Sequence, residues 1–506
     1  MSSPARPDRS RPRAGWGWAI GLAGLAFAVR LVSVLRGGGL FGRVGYDGSV
    51  YYASAAALAH GFLPYRDFLL LHPPGITLAL LPFAALGRLI GDPYAYALAR
   101  LAWFGLGAVS SALVFALVRP RGLWPAVGAA ACYAVFVPAV VSEHTTSLEA
   151  VGSVCLLGSV ALLTLGPARR SGPVLPLLAA GALLGVATGT KIWGVAVALA
   201  LVAWSIRPMG LRRAALVLAG AAGGTVAVCL PFFLAAPGPM WRMVVLDQLG
   251  RRRVPVSLAS RLVDVTGLSE LRGTVSTSAL TVLALTLLVV VLVLAGRDPL
   301  GRLAALLLVV TGAVLLATPP WSLAYTGLAA PPVALLVGCA LTRLADLHRH
   351  ARTLAAGVVV AGLLAYGVAS LPGLTFGDRF PGRSLERVLA QAPGCVTTDD
   401  PIALIETGAL QRNLTLGCPV VVDVSGYSYD LRPAAGQRLS RPRNPQWQRF
   451  VRDHLGSGST AVVVRFRTSV GLSRRTEAAI AGWPIIAEVG GYQLRRPSPR
   501  LLGPTR

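Results

Sequence analysis

Lysine is almost absent from this chain of 506 residues: Lys191 stands alone among 47 Lys and Arg. Charge as a whole is scarce, at 13% of residues, where soluble domains carry about 25%, and this excludes an ordinary soluble globular protein. Carboxylates are scarcer still, with 21 Asp and Glu leaving a formal net charge of +26. In a soluble chain that balance would point to nucleic acid. No soluble basic domain is present to bind it, so nucleic acid is set aside as a partner. The Arg clusters are assigned instead to loops beside a bilayer, where they meet anionic lipid or a phosphorylated substrate. Cysteine is also sparse. Cys132, Cys155, Cys229 and Cys339 lie in apolar runs and read as small core residues. Cys395 and Cys418 stand in a polar C-terminal region, where an oxidising compartment would let them pair. Neither sits in a Cys/His cluster with ligand spacing. The first apolar run lacks a small-residue cleavage site and reads as a retained anchor. A Gly-rich phosphate loop, internal repeats and low-complexity tracts are all missing.

What the chain has is apolar sequence in runs of about 20 residues, the length of a membrane-spanning helix. Eleven are predicted, near 16–36, 95–118, 122–142, 147–166, 173–189, 191–207, 213–235, 277–296, 302–318, 325–343 and 354–371. Arg6, Arg9, Arg11 and Arg13 precede the first. Arg119 and Arg121, Arg169 and Arg170, Arg207, Arg212 and Arg213, Arg297 and Arg302, then Arg343, Arg349 and Arg352 fill alternate short loops. The loops near 143–146 and 319–324 have no Arg or Lys. The positive-inside rule then puts the N-terminus in the cytoplasm and the C-terminus outside. That topology requires residues 73–90, apolar but bounded by His72-Pro73-Pro74-Gly75 and Gly91-Asp92-Pro93, to lie at the outer interface rather than cross. Residues 48–60, with Val50, Ala53, Ala57 and Leu58 at helical spacing, read as a second interfacial helix in the same long loop. A second outer loop, about 236–276, carries Trp241, Arg242, Asp247, Gln248 and Arg251-Arg252-Arg253. This Arg run breaks the charge rule and suits either lipid headgroups or a phosphate clamp.

After Leu371 the hydropathy falls. Val396–Asp399, Val420–Asp423 and Ala461–Phe466 read as strands, Trp447–His454 as a helix and Pro484–Leu494 as a closing strand or hairpin. The expected fold is an α-helical polytopic membrane protein, residues 1–372, with a small extracytoplasmic α/β domain, residues 373–506. The Arg-rich composition points to a bacterial plasma membrane, where the sequon Asn413-Leu414-Thr415 carries no meaning.

Under this topology one face gathers Tyr46, Asp47, Arg66, Asp67 and His72, then Glu143, His144 and Glu149, and Lys191 in the turn Gly189-Thr190-Lys191-Ile192-Trp193. Ionisable groups at a membrane are costly and usually have a task. A carboxylate beside a hydroxyl can act as general base, and cations nearby can hold a departing phosphate. Blander readings stand beside these. Asp67 pairs with its neighbour Arg66, His72 caps a helix, Glu143 and His144 are solvated turn residues, Lys191 snorkels, and Asp399 and Asp400 form a turn and cap.

These motifs resemble the GT-C superfamily of membrane glycosyltransferases, in particular its protein O-mannosyltransferase and aminoarabinose transferase branches. The resemblance covers about 40–370. Tyr46-Asp47-Gly48 and His72-Pro73-Pro74-Gly75 look like the family's first outer loop. Glu149 is similar to its second acidic residue, Gly185 to Lys191 to its Gly-x-x-x-x-Thr-Lys turn, and Tyr325 with Pro331-Pro332 to its late Tyr/Pro segment. Gly48 departs from the family's usual Glu, and Glu149 from Asp. The resemblance implies transfer of a sugar from a polyprenyl-phosphate donor to a polysaccharide, glycolipid or protein acceptor on the outer face, with inversion. Asp47 would be the base. Lys191, Arg66, Arg251 and Arg252 would hold the donor phosphate, and Tyr46, Asp67, His72, Glu149 and Tyr325 would position substrates. A divalent metal shared by Asp47 and Glu149 is left open. The alternatives are a transporter or flippase of a lipid-linked substrate and a non-catalytic envelope assembly protein.

Overall fold

Runs of Leu, Ala and Val in a bilayer have one backbone solution that satisfies every N–H and C=O within the segment, the α-helix. In the computed structural model, which describes residues 15–165, 172–345, 362, 365–431, 439–464 and 471–497, the first run is α1 (Trp16–Arg36). It leads to α2 (Asp47–Ala59), α3 (Gly75–Ile90), α4 (Asp92–Val118), α5 (Leu123–Val135) and α6 (Val137–Glu143). Then come α7 (Leu148–Thr164), α8 (Leu175–Thr190), α9 (Gly194–Met209) and α10 (Leu211–Ala235). Later apolar helices are Thr277–Ala295, Pro299–Ala317 and Ala330–Ala345. Among the described residues six helices are long and apolar enough to cross a bilayer, or seven if α5 and α6, bent by 53°, count as one.

The eleven expected spans therefore do not all reach spanning length. Helices α7, α8 and α9 have 17, 16 and 16 residues. That is about 25 Å at 1.5 Å per residue, where a bilayer core is about 30 Å thick. Hydropathy averaging runs past the features that end them, such as the Ser147 cap on Ala150 N–H and the turn at Lys191. The run 354–371 lies mostly outside the described residues, as do Arg6, Arg9, Arg11, Arg13, Arg169, Arg170, Arg349 and Arg352.

Contacts sort the helix ends. Arg121 pairs with Asp298 at 2.7 Å, and Arg119 packs beside Gly15, so these three loops share one end. At the other end Arg100 of α4 donates to Leu40 O at 2.6 Å and Gly42 O at 2.9 Å, just beyond α1. Helices α1 and α4 are thus antiparallel, and the chain between them leaves and re-enters on one side. Helix α3, with 16 residues, lies in that stretch and is shorter than the six helices of spanning length. It buries Ile76, Leu80, Ala84 and Gly87 and exposes Leu89. The one-sided helix expected at 48–60 is not found: α2 is buried at every residue from Gly48 to Ala57. Its Gly, Ala and Ser side chains let neighbours close on all faces, and the C-terminal segment covers the side that was expected to face solvent.

Small residues also set the tightest helix pair. A Cβ on Gly181 or Gly185 of α8 would lie 2.1 and 2.3 Å from Val217 O and Ala221 O of α10, the close approach of small-xxx-small packing. Gly185 to Thr190 are therefore helix, and only Lys191 to Trp193 form the turn.

Glu143 is no solvated turn residue. It is fully buried against Arg30 of α1, with Arg30 Nε at 2.7 Å from Oε2 and Tyr133 Oη at 2.6 Å from Oε1. His144 stacks on Phe376 at 3.8 Å.

In the C-terminal segment β1 (Val396–Thr398), β2 (Thr460–Val462), β3 (Ile485–Val489) and β4 (Tyr492–Arg495) form a sheet in the order β1-β2-β4-β3. Strands β1 and β2 are parallel, and the other pairs antiparallel. The helix Pro445–Gly456 seats Trp447 in its core. Val420–Asp423, expected as a strand, is loop, because Cys418 is tied to Cys395 and the chain turns into the cavity described below. Residues 465 and 466 lie outside the described set. Asn413 bonds the backbone N and O of Val396 at 3.1 and 2.7 Å, a structural use of the sequon residue. Leu385, Val396, Ile402, Val462 and Leu494 share one apolar cluster with Tyr52, Leu69, Ile76 and Tyr96. The segment is docked on the first loop through a common core.

Two outcomes follow from the buried charges. Glu143→Gln should cost about 3–5 kcal/mol, because Arg30 is left uncompensated, and a paired Arg30→Met/Glu143→Leu exchange should cost much less; thermal unfolding of purified protein checks both. Burial pushes the Glu406 carboxyl up to about 8, with Arg100 opposing and Asp92 adding to the shift. The folded chain keeps this proton while the unfolded one releases it near 4.5. Stability should therefore fall as pH rises from 4.5 to about 8, and Glu406→Gln should remove that slope.

Candidate functional site

The end opposite the Arg-bearing short turns holds a cavity of about 270 Å³. Its wall joins Tyr46, Asp47 and Tyr51 of the first loop and α2, Leu71 and His72 before α3, Arg251, Trp321 and Tyr325, and Asp423 to Tyr429 with Arg441. Asp47, first residue of α2, is exposed at this wall. Gly48 behind it is required by packing. A Cβ there would meet Thr145 Oγ1 at 2.5 Å and Tyr96 Oη at 2.8 Å, while Thr146 Oγ1 donates to Gly48 O at 3.2 Å. A larger residue there would have to displace these hydroxyls.

His72 faces the cavity and meets the Tyr51 ring edge-on, centroids 5.8 Å apart. Burial, with the positive charges of Arg251 and Lys191 nearby, holds its imidazole well below the usual range, so it is neutral at physiological pH. Its carbonyl accepts from Tyr65 Oη at 2.6 Å, and Gln248 donates to Leu71 O. The second outer loop thereby braces the strip that carries His72. That loop is helical over Pro237–Leu249.

Lys191 is buried at the turn between α8 and α9, and its ammonium is paired with Glu149 of α7. Two rings cover it, Trp193 at 4.0 Å and Tyr325 at 3.9 Å. A small, separate apolar cavity of about 30 Å³, lined by Gly152, Leu156, Leu184, Val197, Leu328 and Pro331, also touches Lys191. Lys191 thus borders this small void, while Tyr325, whose ring covers the ammonium, lines the polar cavity.

Arg251 is 7% exposed and packs over Tyr429 at 4.8 Å. Among the described residues no carboxylate lies within ion-pairing distance, and its Nε has no hydrogen-bond partner. Arg252 points elsewhere, exposed in a groove with Leu439, Ser440, Pro442 and Arg443. Arg66 and Asp67 also lie off the cavity. They pair with each other at 2.9 and 2.8 Å, and Asp67 accepts from Leu63 N at 2.7 Å, closing a surface turn.

Sequence reasoning missed Asp423, Ser425, Tyr429 and Arg441. Tyr46 reaches them: its hydroxyl donates to Asp423 Oδ1 at 3.0 Å and accepts from Ser425 N–H at 3.0 Å. Burial raises the Asp423 carboxyl, the Gly426 N–H lowers it, and the charge of Asp47 raises it further. The missed signal was a polar Asp-Val-Ser-Gly-Tyr run directly after an apolar triplet. The residues do not fit a metal shared by Asp47 and Glu149, since Glu149 is committed to Lys191 and no three His, Cys, Asp or Glu converge among the described residues.

No family model matches this chain, and no curated protein matches it. Solved structures do. ArnT from Cupriavidus metallidurans bound to undecaprenyl phosphate is 17% identical, with a TM-score of 0.57 over 97% of this chain and 99% of that one. Its apo state gives a TM-score of 0.59 over 97% and 100%. The archaeal oligosaccharyltransferase AglB from Archaeoglobus fulgidus, in complex with an inhibitory peptide and a dolichol-phosphate, is 11% identical. Its TM-score is 0.59 over 89% of this chain and 69% of that one. Both are GT-C glycosyltransferases, and at these identities the likeness is one of fold.

Gly48→Ala should lower stability by about 1–3 kcal/mol, the cost of overpacking a closed site. An equivalent change at Gly45, whose Cβ position is open but whose φ is +66°, should act through backbone strain alone and leave the Thr145–Thr146 contacts in place. Melting curves of the two variants separate these effects.

Proposed function

We propose that this protein is a membrane glycosyltransferase that moves a sugar from a polyprenyl-phosphate donor to a hydroxyl of a cell-envelope acceptor. The observation that carries the reading is the pairing of groups in one cavity: an exposed carboxylate, Asp47, and a buried guanidinium, Arg251, without an acidic partner among the described residues. A buried cation is costly unless an anion joins it, and a lipid phosphate is such an anion. The fold relatives add weight, one with undecaprenyl phosphate bound and the other with a dolichol-phosphate.

In this reading Asp47 takes the proton of the acceptor hydroxyl as its oxygen attacks the anomeric carbon. The bond from that carbon to the phosphate oxygen breaks on the opposite face, so configuration inverts. The electron pair leaves with the polyprenyl phosphate, and Arg251 stabilises its charge. Lys191, neutralised by Glu149, orders Tyr325 and Trp193 at the edge of the cavity rather than meeting the phosphate alone. Neutral His72 can donate one hydrogen bond without competing for the anion. The charge asymmetry of the short loops supports placing the site and residues 373–506 on the extracytoplasmic side of a bacterial plasma membrane. A transporter would place its polar site near the bilayer midplane between repeats, whereas this cavity lies at one end of the bundle.

Labelled sugar transfer from a panel of polyprenyl-phosphate donors to envelope acceptors tests the proposal. Asp47→Asn should lower kcat by about 100-fold or more with donor KM little changed, the loss of a general base. Arg251→Gln should raise donor KM and lower kcat together. No transfer by the wild-type protein with any donor would reject the reading.

A further inference from the structure

The reaction above leaves one carboxylate of the cavity without a task. Asp423 enters the wall from the C-terminal segment, five residues after the cysteine that is tied to Cys395. Its Oδ1 accepts from Tyr46 Oη at 3.0 Å and from Gly426 N at 2.7 Å. Those two bonds hold the loop, and they use one oxygen. The other, Oδ2, has no donor among the described residues, although the carboxylate lines the cavity. The loop is closely fitted around it, since a Cβ on Gly426 would come within 2.3 Å of Oδ2.

A second negative charge near Asp47 works against phosphate binding, so Asp423 is poorly suited to the anionic part of any ligand. What a carboxylate offers is hydrogen-bond acceptance, and charge-assisted bonds are the strong ones. The uncharged donors on a sugar substrate are its hydroxyls. Trp321 and Tyr429 line the same cavity, each ring with an Arg over one face, Arg261 and Arg251, at 4.8 Å. Arg441, which donates to Ser425 and at 3.3 Å to Ser428, ties this wall to the segment beyond it. The cavity is thus divided, with Arg251 for an anion and Asp423 for hydroxyls.

We propose that Asp423 is a sugar-binding residue that accepts hydrogen bonds from the hydroxyls of an uncharged sugar ring and selects such a ring over one bearing a carboxylate or phosphate at that position. The ring belongs to the donor or to the acceptor; its chemistry is the same. That the ligand is a sugar rests on the glycosyltransferase reading, but binding at Asp423 is measured separately from transfer.

The decisive variant is Asp423→Asn. Asn retains an Oδ1 for Tyr46 and Gly426, so the loop keeps its bonds, but an amide donor replaces the charged acceptor. Full-length protein in a detergent without sugar headgroups is titrated with methyl glycosides of common neutral hexoses and pentoses, followed by thermal shift. At least one glycoside should stabilise the wild-type protein, and Asp423→Asn should bind it about tenfold to a hundredfold more weakly, the loss of a charged hydrogen-bond partner. Tyr46→Phe, which frees one of the two bonds on Oδ1, should weaken binding by less. In the transfer assay, a rise in acceptor KM at unchanged kcat assigns the ring to the acceptor, and a rise in donor KM assigns it to the donor. Equal binding by wild type and Asp423→Asn, or no binding of any glycoside by the wild type, overturns the proposal. Glycoside binding that needs Asp423 in a protein that transfers no sugar would sink the glycosyltransferase reading and leave the sugar site standing.

Discussion

The enclosure of α2 is the constraint on which the site depends. A helix of Gly, Ala, Ser and Tyr with every position from Gly48 to Ala57 buried cannot be held by the bilayer helices alone. It needs α3 and α4 on one side and the C-terminal segment on the other, and the shared apolar cluster supplies both. The consequence is positional. Asp47 begins this helix, so its place is set by packing on all faces rather than by a surface loop, and a carboxylate that must meet a hydroxyl within hydrogen-bond reach gains from that rigidity. Tyr46 carries the coupling one step further, since its hydroxyl joins Asp423 and Ser425 across the junction.

Charge inside this protein follows a rule that makes the exception informative. Arg30 meets Glu143, Lys191 meets Glu149, and Asp264 meets Arg272 at 2.6 Å. Arg261, fully buried, is spread over main-chain oxygens, with Thr318 O at 2.6 Å. Buried ions without such compensation are expensive. Arg251 packs on a ring and, among the described residues, meets no carboxylate, and it does so in the wall of a cavity. A structural role would leave it a carbonyl cage like that of Arg261. The arrangement instead suits a cation whose counter-ion arrives with the ligand.

Much of this was legible in the sequence because membrane physics is coarse. Apolar run length and Arg asymmetry located many of the helices, and the parity of the loops argued against counting 73–90 as a crossing. The Tyr46-Asp47-Gly48 and Lys191 motifs were readable because polar residues stand out in apolar sequence. Illegible features depended on partners far away in the chain. Glu143 looked solvated because nothing near it in sequence announces Arg30, 113 positions earlier. Arg66 was expected to hold phosphate and Asp67 to position substrate, yet the adjacent opposite charges pair with each other, the blander reading. Asp423 was hidden by its own surroundings: Val420-Val421-Val422 has strand composition, but the bond between Cys395 and Cys418 and the turn at Gly426 take the backbone elsewhere.

The solitary Lys gains its sense from this geometry. A chain that uses Arg everywhere else retains Lys at the position where the cation is pinched between two rings at 3.9 and 4.0 Å and faces a single buried carboxylate. A guanidinium is a planar fork whose donors point in fixed directions, and it matches a carboxylate side by side. Here the rings occupy the flanks such a fork would need. An ammonium is compact, attracts both ring faces at once, and turns its remaining donors freely. Glu149 cancels its charge, so the pair adds little net charge beside the cavity. Arg251 stands in the cavity wall without an ion-pairing carboxylate among the described residues, and in the proposed reaction the anion belongs there rather than at Lys191.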